Sequence, residues 1–233
     1  MRRLLFFTIS VALILSGCGV YYEDTGISSI SDSSNDVLYE CKTLFVDTNE
    51  LNQFYGVVEI TNTGNVNLDL TSYVELDLED SEGHLIGNDS NHVIATPTII
   101  KPGEVGYIAQ YELCEFNGSD LTPYKLTPKI EGFNATENEP KRFEVTDVSM
   151  VGDEYDSKVL SQVINDTNED QNVLVQCIYY DSSNTILGIY SYYGEVTANS
   201  KESFTFGTDI LLNDKKDRID HYEVTAVKDY RTW

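Results

Sequence analysis

The residues that could perform chemistry are few and widely spaced. The three histidines are His84, His92 and His221, and none belongs to a close His/Cys cluster with the ligand spacing of a zinc site. The chain has no Gly-x-Ser-x-Gly segment that would present a serine nucleophile, and it has no glycine-rich phosphate loop. The sequence therefore predicts no catalytic residue, no metal site and no cofactor. An enzyme assembled from distant residues is the least favoured alternative.

Two acidic segments, residues 77–82 and 166–170, carry enough oxygen atoms to attract a hard cation such as Ca²⁺. Neither segment fits the twelve-residue calcium loop with glycine at its sixth position. Glu75, Asp77 and Glu79 would lie about 7 Å apart along a strand, which is too far for one ion to bridge neighbours easily. We interpret these acids as solvated turns and as the solvent-facing side of a sheet.

Three tyrosines are candidate ligand contacts. Tyr190, Tyr192 and Tyr193 follow one another closely, and on a strand Tyr190 and Tyr192 share one face. Exposed aromatic rings can stack on sugar rings or pack against a protein partner. The alternative is that these are ordinary strand residues whose rings are half buried.

The first eighteen residues form a recognisable targeting segment. Two arginines at positions 2 and 3 precede an apolar stretch over residues 4–15, which is too short to span a membrane comfortably. It ends in Leu15-Ser16-Gly17-Cys18, which resembles the lipobox of bacterial lipoproteins. The resemblance implies a signal peptide over residues 1–17 and a diacylglyceryl group on Cys18. Two or more acyl chains would hold the protein in the cell membrane on its extracytoplasmic side.

The remaining cysteines are an odd number if Cys18 carries lipid. Cys41 and Cys114 both lie in strand-like segments of the first half, and they are candidates for a disulfide in an oxidising compartment. The sequence alone cannot establish the Cα separation that a bridge needs, so free thiols remain the alternative. Cys177 lies in an apolar run and is expected to be a buried free thiol.

Composition favours a β-rich extracytoplasmic protein. The chain has 233 residues, a formal net charge of −24, 41% hydrophobic residues and 16 tyrosines. The apolar fraction is sufficient for a folded core, and the abundance of tyrosine favours strands. The negative charge argues against nucleic acid as a partner, because the phosphate backbone would repel this surface.

The sequence repeats itself at an interval of about 100 residues. Residues 60–63 and 163–167 carry similar Asn-Thr segments, and residues 80–87 and 181–188 carry similar turns that end in Leu-Ile-Gly and Ile-Leu-Gly. The Ser/Asp-rich residues 18–36 predict a flexible tether. The repeat predicts one domain over residues 37–135 and a second over residues 141–233. Period-two alternation and frequent turns predict an all-β fold of two tandem antiparallel β-sandwiches.

The order of strands and turns in each copy resembles the Phe-x-Leu-Tyr-Asp (FxLYD) type of bacterial extracellular domain. At the signature the second copy has Cys177-Ile178-Tyr179-Tyr180-Asp181, which matches at its final Tyr-Asp. The first copy has Leu76-Asp77-Leu78-Glu79-Asp80, which matches at Leu78 and Asp80. The resemblance implies immunoglobulin-like sandwiches on secreted or lipid-anchored proteins, and it implies no catalytic residues.

These observations predict a lipid-anchored surface protein with a non-catalytic interaction or structural role. Its expected partners are the membrane, through Cys18, and an unidentified envelope protein or glycan. The first alternative is a carbohydrate- or peptide-binding module that uses Tyr190, Tyr192 and Tyr193. The second alternative is an envelope enzyme.

Overall fold

A computed structural model describes residues 38–71, 74–116, 124–130, 134–152, 157–211 and 215–231. These residues form seventeen strands and one short 3₁₀ helix, Lys216–Arg218, so the predicted all-β class is confirmed. The signal peptide, Cys18 and the tether lie outside the described residues. Within the described part of the chain, no helix is long and apolar enough to cross a membrane.

The strands of the first half are β1 (Tyr39–Thr48), β2 (Gln53–Asn62), β3 (Asn67–Asp69), β4 (Val74–Glu79), β5 (Leu85–Asp89), β6 (Val93–Thr96), β7 (Ile99–Ile100), β8 (Val105–Gln110), β9 (Cys114–Glu115), β10 (Lys125–Ile130) and β11 (Asn134–Thr136). Those of the second half are β12 (Arg142–Val151), β13 (Lys158–Asn165), β14 (Gln171–Tyr180), β15 (Ile186–Val196), β16 (Ser200–Gly207) and β17 (His221–Lys228).

The strands form antiparallel sheets. One sheet has the order β1-β2-β8-β6 with β9 also paired to β2, and two small sheets have the orders β10-β4-β5 and β11-β3-β7. A six-stranded sheet, β15-β14-β17-β12-β13-β16, curls into a half-barrel. Residues 136–140 separate the two predicted domains. This segment begins within β11, which pairs with β3.

The same pattern of strand pairing occurs in both halves, as the repeated sequence blocks suggest. In the first half β2 lies between β1 and β8, and β4 lies between β10 and β5. In the second half β13 lies between β12 and β16, and β14 lies between β17 and β15. The sheets of the second half are joined through the short β12–β17 ladder, whereas β1 and β10 of the first half belong to separate sheets.

Matched polar residues make matched contacts in the two halves. Asn62 donates through its side chain to the carbonyls of Val66 and Ile100. Asn165 donates in the same way to the carbonyls of Glu169 and Val196. Both side chains are almost completely buried, and each accepts a backbone N–H two residues further on. The repeat therefore reflects a structural need, because a buried backbone carbonyl requires a donor.

The largest hydrophobic cluster contains residues from both halves. Tyr55 of β2 is fully buried in it beside the second-half residues Leu187, Ile189 and Leu211. The Tyr55 hydroxyl donates to the Ile189 carbonyl at 2.9 Å and accepts the Ile189 backbone N–H at 2.7 Å. Because β15 is the outer strand of its sheet, this side chain satisfies a peptide group that no neighbouring strand reaches. The two halves thus share a core as well as a sequence pattern.

Candidate functional site

Cys41 and Cys114, the candidate disulfide pair, are both free thiols in the structure. Cys41 lies opposite Ile60 on one side of β2, and Cys114 lies opposite Phe54 on the other. Ile60 and Phe54 are six residues apart on the same strand, which corresponds to about 20 Å. This is far beyond the 4–7 Å or so between the Cα atoms of a disulfide. Cys177 is a buried free thiol, as predicted.

Tyr190 and Tyr192 stack on one face of β15, as strand alternation predicts. Their ring centroids are 5.3 Å apart with an interplanar angle of 19°. Phe206 supports both rings edge-on from β16. Tyr192 is 43% exposed, whereas Tyr190 is mostly covered, so Tyr192 is the more accessible ring of the pair.

The stacked pair borders a shallow cleft of about 400 Å³. Ser157, Thr208, Asp209 and Lys216 are among its other lining residues. The hydroxyl groups of Ser157 and Thr208 contact each other, with Oγ and Oγ1 3.1 Å apart. The cleft thus combines an aromatic surface with hydroxyl, carboxylate and ammonium groups, the combination that orients a polar ring-shaped ligand.

Tyr193 does not belong to this cleft. It points to the opposite face of β15, where it joins Ile94, Leu174 and Val227 in a small apolar cluster. The Arg231 guanidinium lies 3.7 Å from its ring centroid and also donates to its hydroxyl. Burial raises the pKa of the Tyr193 hydroxyl above its ordinary value. The structure therefore separates Tyr193 from the other two candidate contacts.

A second group of side chains meets in the first half at Asp89, His92 and Cys114. The Cys114 Sγ lies 2.8 Å from Asp89 Oδ2 and 3.6 Å from His92 Nδ1, and His92 Nδ1 lies 3.2 Å from Asp89 Oδ1. These ligand-capable atoms all lie within 4.8 Å of one another. The sequence places no histidine in a cluster with zinc-ligand spacing, and the fold nevertheless brings His92 beside Cys114 and Asp89.

Neighbouring residues hold each member of the cluster in place. The Gln110 side chain is fully buried, accepts the Gly56 N–H at 3.0 Å and donates to Asp89 Oδ2 at 3.2 Å. The Tyr111 ring packs edge-on against the His92 imidazole at 5.7 Å. At the other nitrogen of the imidazole, Glu112 Oε2 lies 3.6 Å from His92 Nε2.

The protonation of Cys114 bears on its chemistry. Burial, together with the hydrogen bond to Asp89, raises the pKa of the thiol to about 12. In the absence of a cation the sulfur therefore stays protonated at neutral pH, and a thiol is a much poorer nucleophile than a thiolate. The group is better suited to ligation, in which a metal ion displaces the proton, than to unassisted covalent catalysis.

Sequence reasoning missed this cluster because its members come from three separate elements. Asp89 ends β5, His92 precedes β6 and Cys114 begins β9. The only local signal is the spacing of Asp89 and His92, three residues apart. This spacing lets Asp89 Oδ1 accept the backbone N–H of His92 at 3.1 Å.

The other histidines and the acidic strand have ordinary surroundings. His84 and His221 are exposed, and each ring lies beside a nearby aspartate, Asp80 in the turn before His84 and Asp220 directly before β17. Lys129 of β10 forms ion pairs with two acids of β4, Glu75 and Asp77. Asp77 is buried, so the expectation that these acids all face solvent is wrong at that position.

A scan against models of known protein families finds no match, and a search of curated proteins finds none either. The lipobox and the FxLYD resemblance therefore remain predictions.

Proposed function

We propose that this chain is a non-catalytic binding protein, held on the extracytoplasmic side of a bacterial cell membrane by lipid on Cys18. Its body would consist of two tandem immunoglobulin-like sandwiches of the FxLYD type, and its cleft at Tyr190 and Tyr192 would bind a carbohydrate of the envelope. The net charge of −24 supports an uncharged or cationic ligand over a polyanion.

The observation that carries the carbohydrate proposal is the exposed ring of Tyr192 over a polar cleft. A sugar presents a flat patch of C–H groups, which packs on an aromatic face, and a rim of hydroxyls, which needs donors and acceptors. Tyr192 supplies the first contact, and the Ser157, Thr208 and Asp209 side chains lie where they can supply the second. Because Phe206 and Tyr190 hold Tyr192 from behind, little side-chain entropy is lost on binding.

A glycan array probed with the purified full chain tests the carbohydrate proposal. Specific glycans should be retained by the wild type and lost by Tyr192→Ala, while Tyr230→Ala serves as the matched control because it removes a ring outside the cleft. Binding that both variants retain would place the site elsewhere. An array without specific binding would direct the search to a protein partner by pulldown from the native membrane fraction.

Membrane fractionation tests the anchor separately. Cys18→Ser should leave folding intact and release the protein from the membrane fraction, because the core of the described residues does not include Cys18. If this variant stayed with the membrane, the apolar N-terminal segment itself would be the anchor and the lipobox interpretation would be wrong.

A further inference from the structure

The cluster of Asp89, His92 and Cys114 has no part in the proposed ligand cleft. It offers a carboxylate, an imidazole and a sulfur, which are the three ligand types that zinc sites combine. A purely structural hydrogen-bonded group would also satisfy these side chains in part. Three further observations, on the distances, on the position of Glu112 and on burial, favour a metal ligand set.

Two of the distances between ligand-capable atoms are close to those around a tetrahedral ion. With metal–ligand bonds of about 2.0–2.3 Å, a tetrahedral ion holds its ligand atoms about 3.3–3.6 Å apart. The observed separations are 3.6 Å between Cys114 Sγ and His92 Nδ1, and 3.2 Å between His92 Nδ1 and Asp89 Oδ1. The two short contacts of Asp89 involve different oxygens, Oδ2 with Cys114 Sγ at 2.8 Å and Oδ1 with His92 Nδ1 at 3.2 Å, whereas a set of one ligand atom from each residue lies within 4.8 Å. Binding would therefore require the Asp89 carboxylate to turn when an ion takes the place of the shared proton.

The surroundings of His92 offer a carboxylate to the ring nitrogen that would not bind the metal. Glu112 Oε2 lies 3.6 Å from Nε2, so it could accept the Nε2 proton of a histidine that ligates a metal through Nδ1, the nitrogen that faces Asp89 and Cys114. A ligating histidine usually donates its other ring N–H to a carboxylate in this way. Gln110 plays the corresponding role for Asp89, because its buried amide donates to Oδ2 and fixes the carboxylate.

The burial of the cluster argues for a cation. The Asp89 side chain is only 4% exposed, and none of the Lys or Arg ion pairs found among the described residues involves it. Its ion-pair partner among these residues is His92, whose Nδ1 lies 3.2 Å from Oδ1, and a metal ion held between them would place a permanent positive charge beside a buried carboxylate. The ring of His92 is 38% exposed, so a fourth coordination position would open to solvent.

From this geometry we propose that Asp89, His92 and Cys114 bind one divalent transition-metal ion of the Zn²⁺ class. On binding, the Cys114 thiol gives up its proton to solvent and the thiolate bonds to the metal. The sulfur and nitrogen ligands disfavour Ca²⁺ and Mg²⁺, which prefer oxygen. The ion would link β9 to the connection between β5 and β6, so the site would cross-link these two segments of the first half.

The test is a metal titration of the full chain, reduced and stripped of metal, on a Cys18→Ala background so that the anchor thiol contributes nothing. Zn²⁺ is titrated against a chromophoric indicator, and Co²⁺ is titrated with absorption detection. The expected result is one equivalent of Zn²⁺ and a thiolate-to-cobalt charge-transfer band in the near ultraviolet. Ca²⁺ should not compete.

Variants identify the ligands. Cys114→Ser and His92→Gln should each weaken Zn²⁺ binding by at least about 100-fold and abolish or shift the cobalt band, since even loss of an outer carboxylate costs about 10–100-fold. Glu112→Gln alters an exposed side chain outside the ligand set, so it should fold normally and weaken binding by about 10-fold. Cys41→Ser and His84→Gln are the matched controls and should bind as the parent does.

The proposal would be overturned if the parent chain bound Zn²⁺ no more tightly than Cys114→Ser, or if the Co²⁺ complex lacked the thiolate band. Circular dichroism of each variant establishes that a loss of binding is not a loss of folding. Because none of the three ligands lines the Tyr192 cleft, the glycan result and the metal result are independent of each other.

Discussion

Replacing Tyr55 with phenylalanine should reveal how strongly the two halves depend on each other. The change keeps the ring in the shared core and removes only the hydroxyl. The Ile189 N–H and C=O then lose the partner that lies 2.7 and 2.9 Å away, in a site that is fully buried. An unsatisfied buried polar group costs about 1–3 kcal/mol, so the free energy of unfolding should fall by about 2–4 kcal/mol, after allowing for some relaxation.

Urea denaturation of the full chain, followed by circular dichroism and tyrosine fluorescence, measures this loss. Because the core is shared, both probes should report one transition in the wild type, and the variant should shift its midpoint without changing its slope. Hydrogen exchange should show an equal loss of protection in β2 and in β14, one strand from each half. Tyr192→Phe is the control, since Tyr192 is 43% exposed and water can replace the contact of its hydroxyl with Tyr190, and it should stay within about 0.5 kcal/mol of the wild type.

Two results would refute this reasoning. A Tyr55→Phe variant as stable as the control would mean that the hydroxyl contributes nothing to docking of the halves. A wild type that unfolds in two separate transitions would mean that the halves are independent domains, as the sequence alone suggests.

Three further predictions address the repeat, the junction and the response to acid. Asn165→Ala should cost about 2–4 kcal/mol in urea denaturation because it leaves buried carbonyls without donors, and a very different cost for Asn62→Ala would contradict the equivalence of the two positions. Lys215→Met should cost about 2–3 kcal/mol, because Lys215 pairs at 2.8 Å with the largely buried Asp47 of the other half; an unchanged midpoint would show that the pair is not needed. A hydrogen bond from the backbone N–H four residues further on holds the pKa of Asp181 below its usual range. Its contribution to stability is therefore present above about pH 4 and lost as the pH falls through the lowered pKa, and acid titrations of Asp181→Asn should show a shallower decline in that range.

The sequence by itself determined the features that depend on local periodicity. Alternation along β15 places Tyr190 and Tyr192 on one face whatever packs around them, because successive side chains of a strand point to opposite sides. The matched turns at Asp80 and Asp181 are likewise local, since each aspartate accepts backbone N–H groups two and four residues further along. Such contacts need no distant partner, so the residue pattern specifies them.

The tertiary structure decided everything that depends on which strands lie side by side. Cys41 and Cys114 look like partners in the sequence, yet they lie on opposite sides of β2 and about 20 Å apart along it. Cys114 instead meets Asp89 and His92, which it approaches only because β9 pairs with the beginning of β2. Tyr55 reaches Ile189 across 134 residues of chain. These contacts follow from long-range strand pairing and core packing, and a period-two pattern carries no information about the neighbour across a sheet or across a core.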